Sequence, residues 1–179
     1  TTLVESFLNA ARTWPKPDAL RYKEGGVWKS VSTQEFLERV RYAASGLIDL
    51  GIQPGDRVAL LSENRPEWII TDIAVFCAGA VTVPIYPTLL PHDVVYILKD
   101  SDAKVLLASK PEHLAKATGG RGELPTLAHL VLFPPTAASA GEMSWADLLD
   151  RGKKRAEANP KEFDERCAQV KPDQLATLP

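Results

Sequence analysis

Residues 51–88 read GIQPGDRVALLSENRPEWIITDIAVFCAGAVTVPIYPT, and this stretch decides the fold. A Pro54-Gly55-Asp56 turn leads into the short apolar run Arg57–Leu61. Residues 68–76 are apolar around most of a helical circumference, with Asn64 as the expected N-cap and Pro66 in the first turn, where its missing N–H costs nothing. A second β-branched run, Val81–Ile85, is closed by Tyr86-Pro87-Thr88. Strand, helix and strand within about 30 residues make a βαβ unit, whose crossover is expected to be right-handed.

The pattern continues on both sides. Upstream, Leu3, Phe7, Leu8, Ala11 and Trp14 share a helical spacing over 2–14, which Pro15 and Pro17 end. Leu20–Tyr22 and Val27–Ser30 flank Glu24-Gly25-Gly26, the signature of a β-hairpin. Ser32 and Glu35 form a capping box for a helix that places Phe36, Leu37, Val40, Ala43, Ala44, Leu47 and Ile48 on one face and stops at Gly51. Downstream, Pro91–Asp100 and Pro111–Thr118 read as helices, and Val105–Ala108 and Leu130–Phe133 as strands. Ser144-Trp145-Ala146-Asp147 caps a further helix with Trp145, Leu148 and Leu149 inward and Lys153-Lys154-Arg155 near its end. The strands are short and apolar throughout rather than alternating, as in parallel strands covered on both faces. The expected fold is α/β: a largely parallel sheet flanked by helices, preceded by an N-terminal β-hairpin. Residues 1–31 would form helix and hairpin, 32–133 the α/β core, and 134–179 connecting helices and tail.

Composition narrows the function. The 179 residues carry a net charge of −2, so no long-range field recruits nucleic acid. No apolar run approaches the ~20 residues of a membrane span. The N-terminal residues lack a basic region before their apolar positions, so a secretory signal is not expected there. Cys77 and Cys167 lie far apart in sequence without metal-type spacing and are expected as free thiols in a reducing, cytoplasmic compartment. His92, His113 and His129 are widely spaced, and no metal site is expected from them.

Few residues advertise chemistry. No phosphate loop of the GxxxxGK[ST] type, no GxSxG and no Cys–His pairing occurs. Gly119-Gly120-Arg121-Gly122 reads as a solvated turn, with a phosphate cradle as the lesser alternative. Asp100 and Asp102 read as cap and turn residues rather than an acid/base pair, and Trp68 as a core residue. Tyr86-Pro87-Thr88 differs in kind because it follows a parallel strand, and ligands of open α/β sheets sit beyond the carboxyl ends of strands. An aromatic ring beside a rigid proline offers a flat shelf for a nucleobase; a simple loop bracketed by Pro87 and Pro91 is the competing reading.

Several segments resemble the AMP-forming adenylating superfamily, which holds acyl-CoA synthetases, luciferases and peptide-synthetase adenylation domains. Trp28-Lys29-Ser30-Val31-Ser32-Thr33-Gln34-Glu35-Phe36 resembles its early core motif, with Gln34 and Phe36 as variants. Residues 50–59, LGIQPGDRVA, are similar to its LGIxPGDRVA block, and 64–68 to its NRPEW segment. Residues 76–86, FCAGAVTVPIY, resemble the second core motif, and Asp100-Ser101-Asp102-Ala103-Lys104 the DSxAK segment. These segments run over residues 28–108 in the family's own order. Pro84-Ile85-Tyr86-Pro87-Thr88 is most similar to the long-chain fatty acid–CoA ligase branch.

The resemblance implies the N-terminal subdomain of an acyl-CoA synthetase. Such an enzyme would use ATP, Mg²⁺ and CoA: a fatty acid and ATP give acyl-adenylate and pyrophosphate, and the CoA thiolate then displaces AMP. The family's Gly/Ser/Thr-rich phosphate loop would follow a segment like Asp173–Leu178, and its other catalytic motifs lie further on, so no catalytic residue is expected here. The 179-residue chain alone is expected to be inactive, and to self-associate through a face left bare. Peripheral membrane contact is compatible with the parent enzyme. By position in related short-chain synthetases, Tyr86, Pro87 and Thr88 would lie against the CoA adenine and Lys116 near its 3′-phosphate. The alternatives are a stand-alone CoA- or nucleotide-binding module without catalysis, and a synthetase for another carboxylic acid.

Overall fold

Capping chemistry starts the first two helices in a computed structural model that describes residues 1–178. Helix α1 (Leu3–Thr13) is opened by Thr2 with Glu5, and α2 (Thr33–Asp49) by Ser32 with Glu35, each pair exchanging side-chain and backbone hydrogen bonds. Between them β1 (Leu20–Glu24) and β2 (Val27–Val31) form the antiparallel hairpin, turned by Gly25 and Gly26, both at positive φ as a type I′ turn requires.

The α/β core follows as β3 (Arg57–Leu61), α3 (Pro66–Cys77), β4 (Val81–Ile85), α4 (Pro91–Asp100), β5 (Val105–Ala108), α5 (Pro111–Thr118) and β6 (His129–Leu132). The end of α2 is a Schellman turn: Gly51 at φ +93° donates to Ile48 O, and the amide of Ile52 reaches Leu47 O at 3.1 Å. The same geometry recurs at Gly79 after α3, and at Asp102 (φ +50°) after α4, where the carboxylate meets Arg57 at 3.5 Å. Asp102 is thus the cap residue the sequence suggests. The N-cap of α3, however, is Arg65 rather than Asn64. Its side chain makes no capping bond; the guanidinium instead holds Glu67 at 2.6 Å and the carbonyl of Pro134 at 2.7 Å.

Two elements escape the sequence reading. A two-residue strand, β7 (Met143–Ser144), pairs in parallel with β6 just before α6 (Trp145–Ala158), and α7 (Glu162–Gln169) follows. The principal sheet is all parallel, in the order β4-β3-β5-β6-β7. Outside β4, Thr82 donates to Ala176 O and accepts from the amide of Leu178, both at 2.9 Å, so residues 176–178 begin a further parallel neighbour.

Side chains from β3 and β5 pack to both faces. On one, Val58, Leu60, Val105 and Leu107 join α2, α3, α6 and α7; on the other, Ala59, Leu61 and Leu106 join α4 and α5. The α2–α6 crossing is close enough that a Cβ on Gly152 would lie 1.7 Å from Tyr42 O, and one on Gly46 would lie 2.4 Å from Leu148 O. Arg155 binds Glu162 through two 2.8 Å hydrogen bonds and approaches Asp49 at 3.5 Å, linking α2, α6 and the start of α7. Helix α7 buries Phe163 and Cys167, one turn apart. Cys167 packs its thiol on the Cys77 carbonyl at 3.8 Å. Both cysteines are free and buried, and their contact, with burial, pushes the Cys77 thiol well above its usual range.

Candidate functional site

Strand β3 is followed in the chain by β4 on one side and in the sheet by β5 on the other. The order reverses at the β3/β5 boundary, so the two following loops diverge and leave a crevice, the position at which open α/β sheets bind ligands. The β3 loop supplies Ser62, Glu63 and Asn64; the β5 loop supplies Ser109 and Lys110, and α5 supplies His113.

These residues form one network. The Ser109 hydroxyl donates to Glu63 Oε2 at 2.5 Å, and Lys110 Nζ reaches Glu63 Oε1 at 2.8 Å. Burial alone would raise the Glu63 carboxyl, but the hydrogen bonds from Lys110 and Ser109 outweigh it and hold the pKa at about 2. Glu63 is therefore a carboxylate at neutral pH and only accepts. The single Ser109 proton is committed to it, so the 3.0 Å contact between Ser109 Oγ and His113 Nδ1 is donated by the imidazole. Burial lowers the His113 pKa, with Lys110 and Lys116 adding to the effect and Glu63 opposing it. The ring is neutral, and Nε2 carries a lone pair 3.9 Å from Glu63 Oε1.

Glu63 and His113 line a cleft of about 780 Å³ whose other walls include Trp68, Pro84, Tyr86 and Pro87. Trp68 is half-buried against the core and also faces this cleft, so it serves both roles. Tyr86, Pro87 and Thr88 lie together on the cleft wall directly after β4, with Tyr86 77% exposed. Lys116 is not on that wall. It lies behind it, donating from Nζ to the carbonyls of Pro87 at 2.5 Å and Leu89 at 2.8 Å, and so braces the loop that carries the tyrosine. Gly119 and Gly120 end α5 and Arg121–Glu123 forms one 3₁₀ turn; Gly120 packs beneath Val95.

Sequence reasoning found the Tyr86–Thr88 wall and missed Glu63, Ser109, Lys110 and His113. Each is unremarkable alone, but the signal was there: Ser-Glu-Asn and Ser-Lys-Pro-Glu-His follow two apolar strands that are neighbours only once the strand order is known. Among the described residues, no group of three or more His, Cys, Asp or Glu gathers to hold a metal ion.

An all-parallel sheet of this order, flanked by helices and preceded by an antiparallel hairpin, defines an adenylating-enzyme N-terminal fold. The sequence profile of the AMP-binding enzyme family matches residues 7–179, and the chain belongs to that family. It is 37% identical over 164 residues to a long-chain-fatty-acid–CoA ligase, FadD15, of Mycobacterium tuberculosis, which covers 90% of this chain and 26% of the relative. Against the human long-chain-fatty-acid–CoA ligase ACSBG1, identity is 28% over 153 residues, covering 84% of this chain and 21% of the relative. The chain thus spans about a quarter of the length of these relatives. Among solved structures, acetoacetyl-CoA synthetase from Streptomyces lividans superposes with a TM-score of 0.73 at 28% identity, over 82% of this chain and 24% of that one. Anthranilate CoA ligase AuaEII superposes at 0.65 with 28% identity, over 68% and 23%.

Proposed function

We propose that the protein carrying this chain activates a long-chain fatty acid with ATP, releasing pyrophosphate, and transfers the acyl group from the acyl-adenylate to the CoA thiol. The observation that carries this reading is the 37% identity to a long-chain-fatty-acid–CoA ligase over 90% of the chain. The cleft at the carboxyl ends of β3 and β4 is the CoA-facing part, with Tyr86, Pro87 and Thr88 as its contact wall and Lys116 behind it. Flat side chains suit a nucleobase, and the Lys116 brace fixes the loop before the ligand arrives, which lowers the ordering cost of binding. ATP and Mg²⁺ serve the adenylation step, and no residue of this chain is assigned to them. No helix among the described residues is long and apolar enough to cross a membrane, and the membrane contact in this reading is a peripheral one. Isolated, the chain self-associates through the sheet edge where residues 176–178 lie outside β4, beside the exposed Leu175.

The test is acid-dependent ATP–pyrophosphate exchange by the intact protein. Palmitate is expected to support exchange and acetate or anthranilate to support little; the reverse order moves the substrate to another acid class, a reading the likeness to an anthranilate ligase favours. The 179-residue chain alone is expected to give no exchange above a protein-free blank.

A further inference from the structure

The cleft wall opposite Tyr86 is polar in an unusual way. His113 is 5% exposed and Ser109 is 4% exposed, whereas the Glu63 and Lys110 side chains are about half exposed, so the network runs from the interior of the fold out to its surface. The assigned protons are spent within the network: Nδ1–H goes to Ser109, the Ser109 hydroxyl goes to Glu63, and one N–H of the Lys110 ammonium goes to the same carboxylate. What remains without a donor of its own is His113 Nε2, which lies 3.9 Å from Glu63 Oε1, the oxygen that Lys110 also approaches. Two facing acceptors repel each other, a cost that a ligand donor placed between them removes. Lys110 beside the carboxylate disfavours a cationic donor, so a neutral N–H is selected. The flanking walls are flat: Trp68, Tyr86, Pro84 and Pro87.

We infer that His113 and Glu63 are specificity-determining residues that receive the exocyclic amine of an adenine ring lodged against Tyr86 and Pro87. This rests on the CoA reading of the cleft. It assigns to that cleft a reason to prefer adenine over other bases, and it gives the Ser109 hydroxyl a role: it fixes the imidazole tautomer that leaves Nε2 bare. Ser109 and Lys110 are positioning residues, since neither faces the ligand.

The experiment is titration of the intact protein with CoA and with deamino-CoA, in which hypoxanthine puts an oxygen acceptor where the amine was. A site built around the amine rejects the analogue, so wild-type protein should bind it about ten-fold or more weakly than CoA. In His113→Gln and His113→Phe that ratio should fall toward one, chiefly through loss of CoA affinity. Where His113→Phe fails to fold, the wild-type ratio and His113→Gln still decide. Tight CoA binding with a wild-type ratio near one overturns the assignment and leaves the CoA reading standing. A ratio unchanged in His113→Gln also overturns it, since the amine is then read elsewhere. Absence of CoA binding by the intact wild-type protein overturns the CoA reading itself, and the inference falls with it.

Discussion

The α2–α6 crossing and the switch-point cleft are both tightly built, and they are built from opposite materials. At the crossing two backbones meet through Gly46 and Gly152, and hydrogen replaces side chains altogether. At the cleft, Glu63, Ser109, Lys110 and His113 crowd together and their value lies in which atoms carry protons. The first contact is defined by volume and is blind to charge. The second tolerates small changes of shape and is defined by protonation. A protein that binds a ligand at one end of its sheet needs the rest of its packing to stay fixed while that end remains chemically selective.

The largest expected effect tests the volume-defined side. Gly152→Ala places a methyl 1.7 Å from Tyr42 O and 2.7 Å from the Gly46 amide, and neither backbone atom can move without shifting a helix. Intrinsic helix propensity favours alanine by about 1 kcal/mol. The clash should nevertheless lower unfolding free energy by more than about 3 kcal/mol, at or beyond the usual range for overpacking. Gly122→Ala, with nothing within 4 Å, is the control and should stay within about 0.5 kcal/mol. Denaturant unfolding of the two variants reads the difference, and equal midpoints would show that the helices separate freely.

Acid titration tests the charge-defined side, with a smaller effect. The Glu63 pKa is depressed from 4.5 to about 2, so its contribution is fully present above about pH 4.5 and lost as pH falls toward 2. At 1.36 kcal/mol per unit, and discounted because the side chain is 46% exposed, this is about 1 kcal/mol. The His113 pKa is also depressed, so the unfolded chain takes up its proton first and stability begins to fall below about pH 6.5. Both groups therefore destabilise the fold toward acid, His113 starting below about pH 6.5 and Glu63 below about pH 4.5. Glu63→Gln should remove the lower step and His113→Gln the upper one. A stability–pH profile unchanged by either would mean the network is dispensable.

How much of this was legible before the structure also divides along these lines. The βαβ block, the hairpin and the capping boxes at Ser32 and Ser144 follow local rules, and local residues announce them. Helix α7 does not: EFDERCAQ has only two buried positions, and its anchors, Arg155 on Glu162 and Cys77 beneath Cys167, come from distant parts of the chain. The Asn64 side chain suits the N-cap of α3, but Pro66 sets the helix start and makes Arg65 the cap. The switch-point network was illegible for a topological reason. Glu63 and Ser109 are 46 residues apart, and only the β4-β3-β5 order makes them neighbours.

Lys116 gives the smallest effect and the sharpest division between the two kinds of packing. The family resemblance implies a place near a CoA phosphate, a charge role; its two bonds to the Pro87 and Leu89 carbonyls give it a shape role, holding the loop. The roles separate by salt. If the ammonium meets a phosphate, Lys116→Ala weakens CoA several-fold at low ionic strength and much less at high salt, because screening already weakens that attraction in the wild type. If it acts as a brace, Lys116→Ala weakens CoA by a similar factor at every salt concentration, since the penalty is the re-ordering of Pro87–Leu89. The two carbonyls already engage Nζ, so the salt-independent outcome is expected. Lys116→Met should match Lys116→Ala, because an apolar chain of similar length cannot donate to either oxygen. Unchanged CoA affinity in both variants would remove Lys116 from the site and leave Tyr86–Thr88 to hold its shape through Pro87 alone.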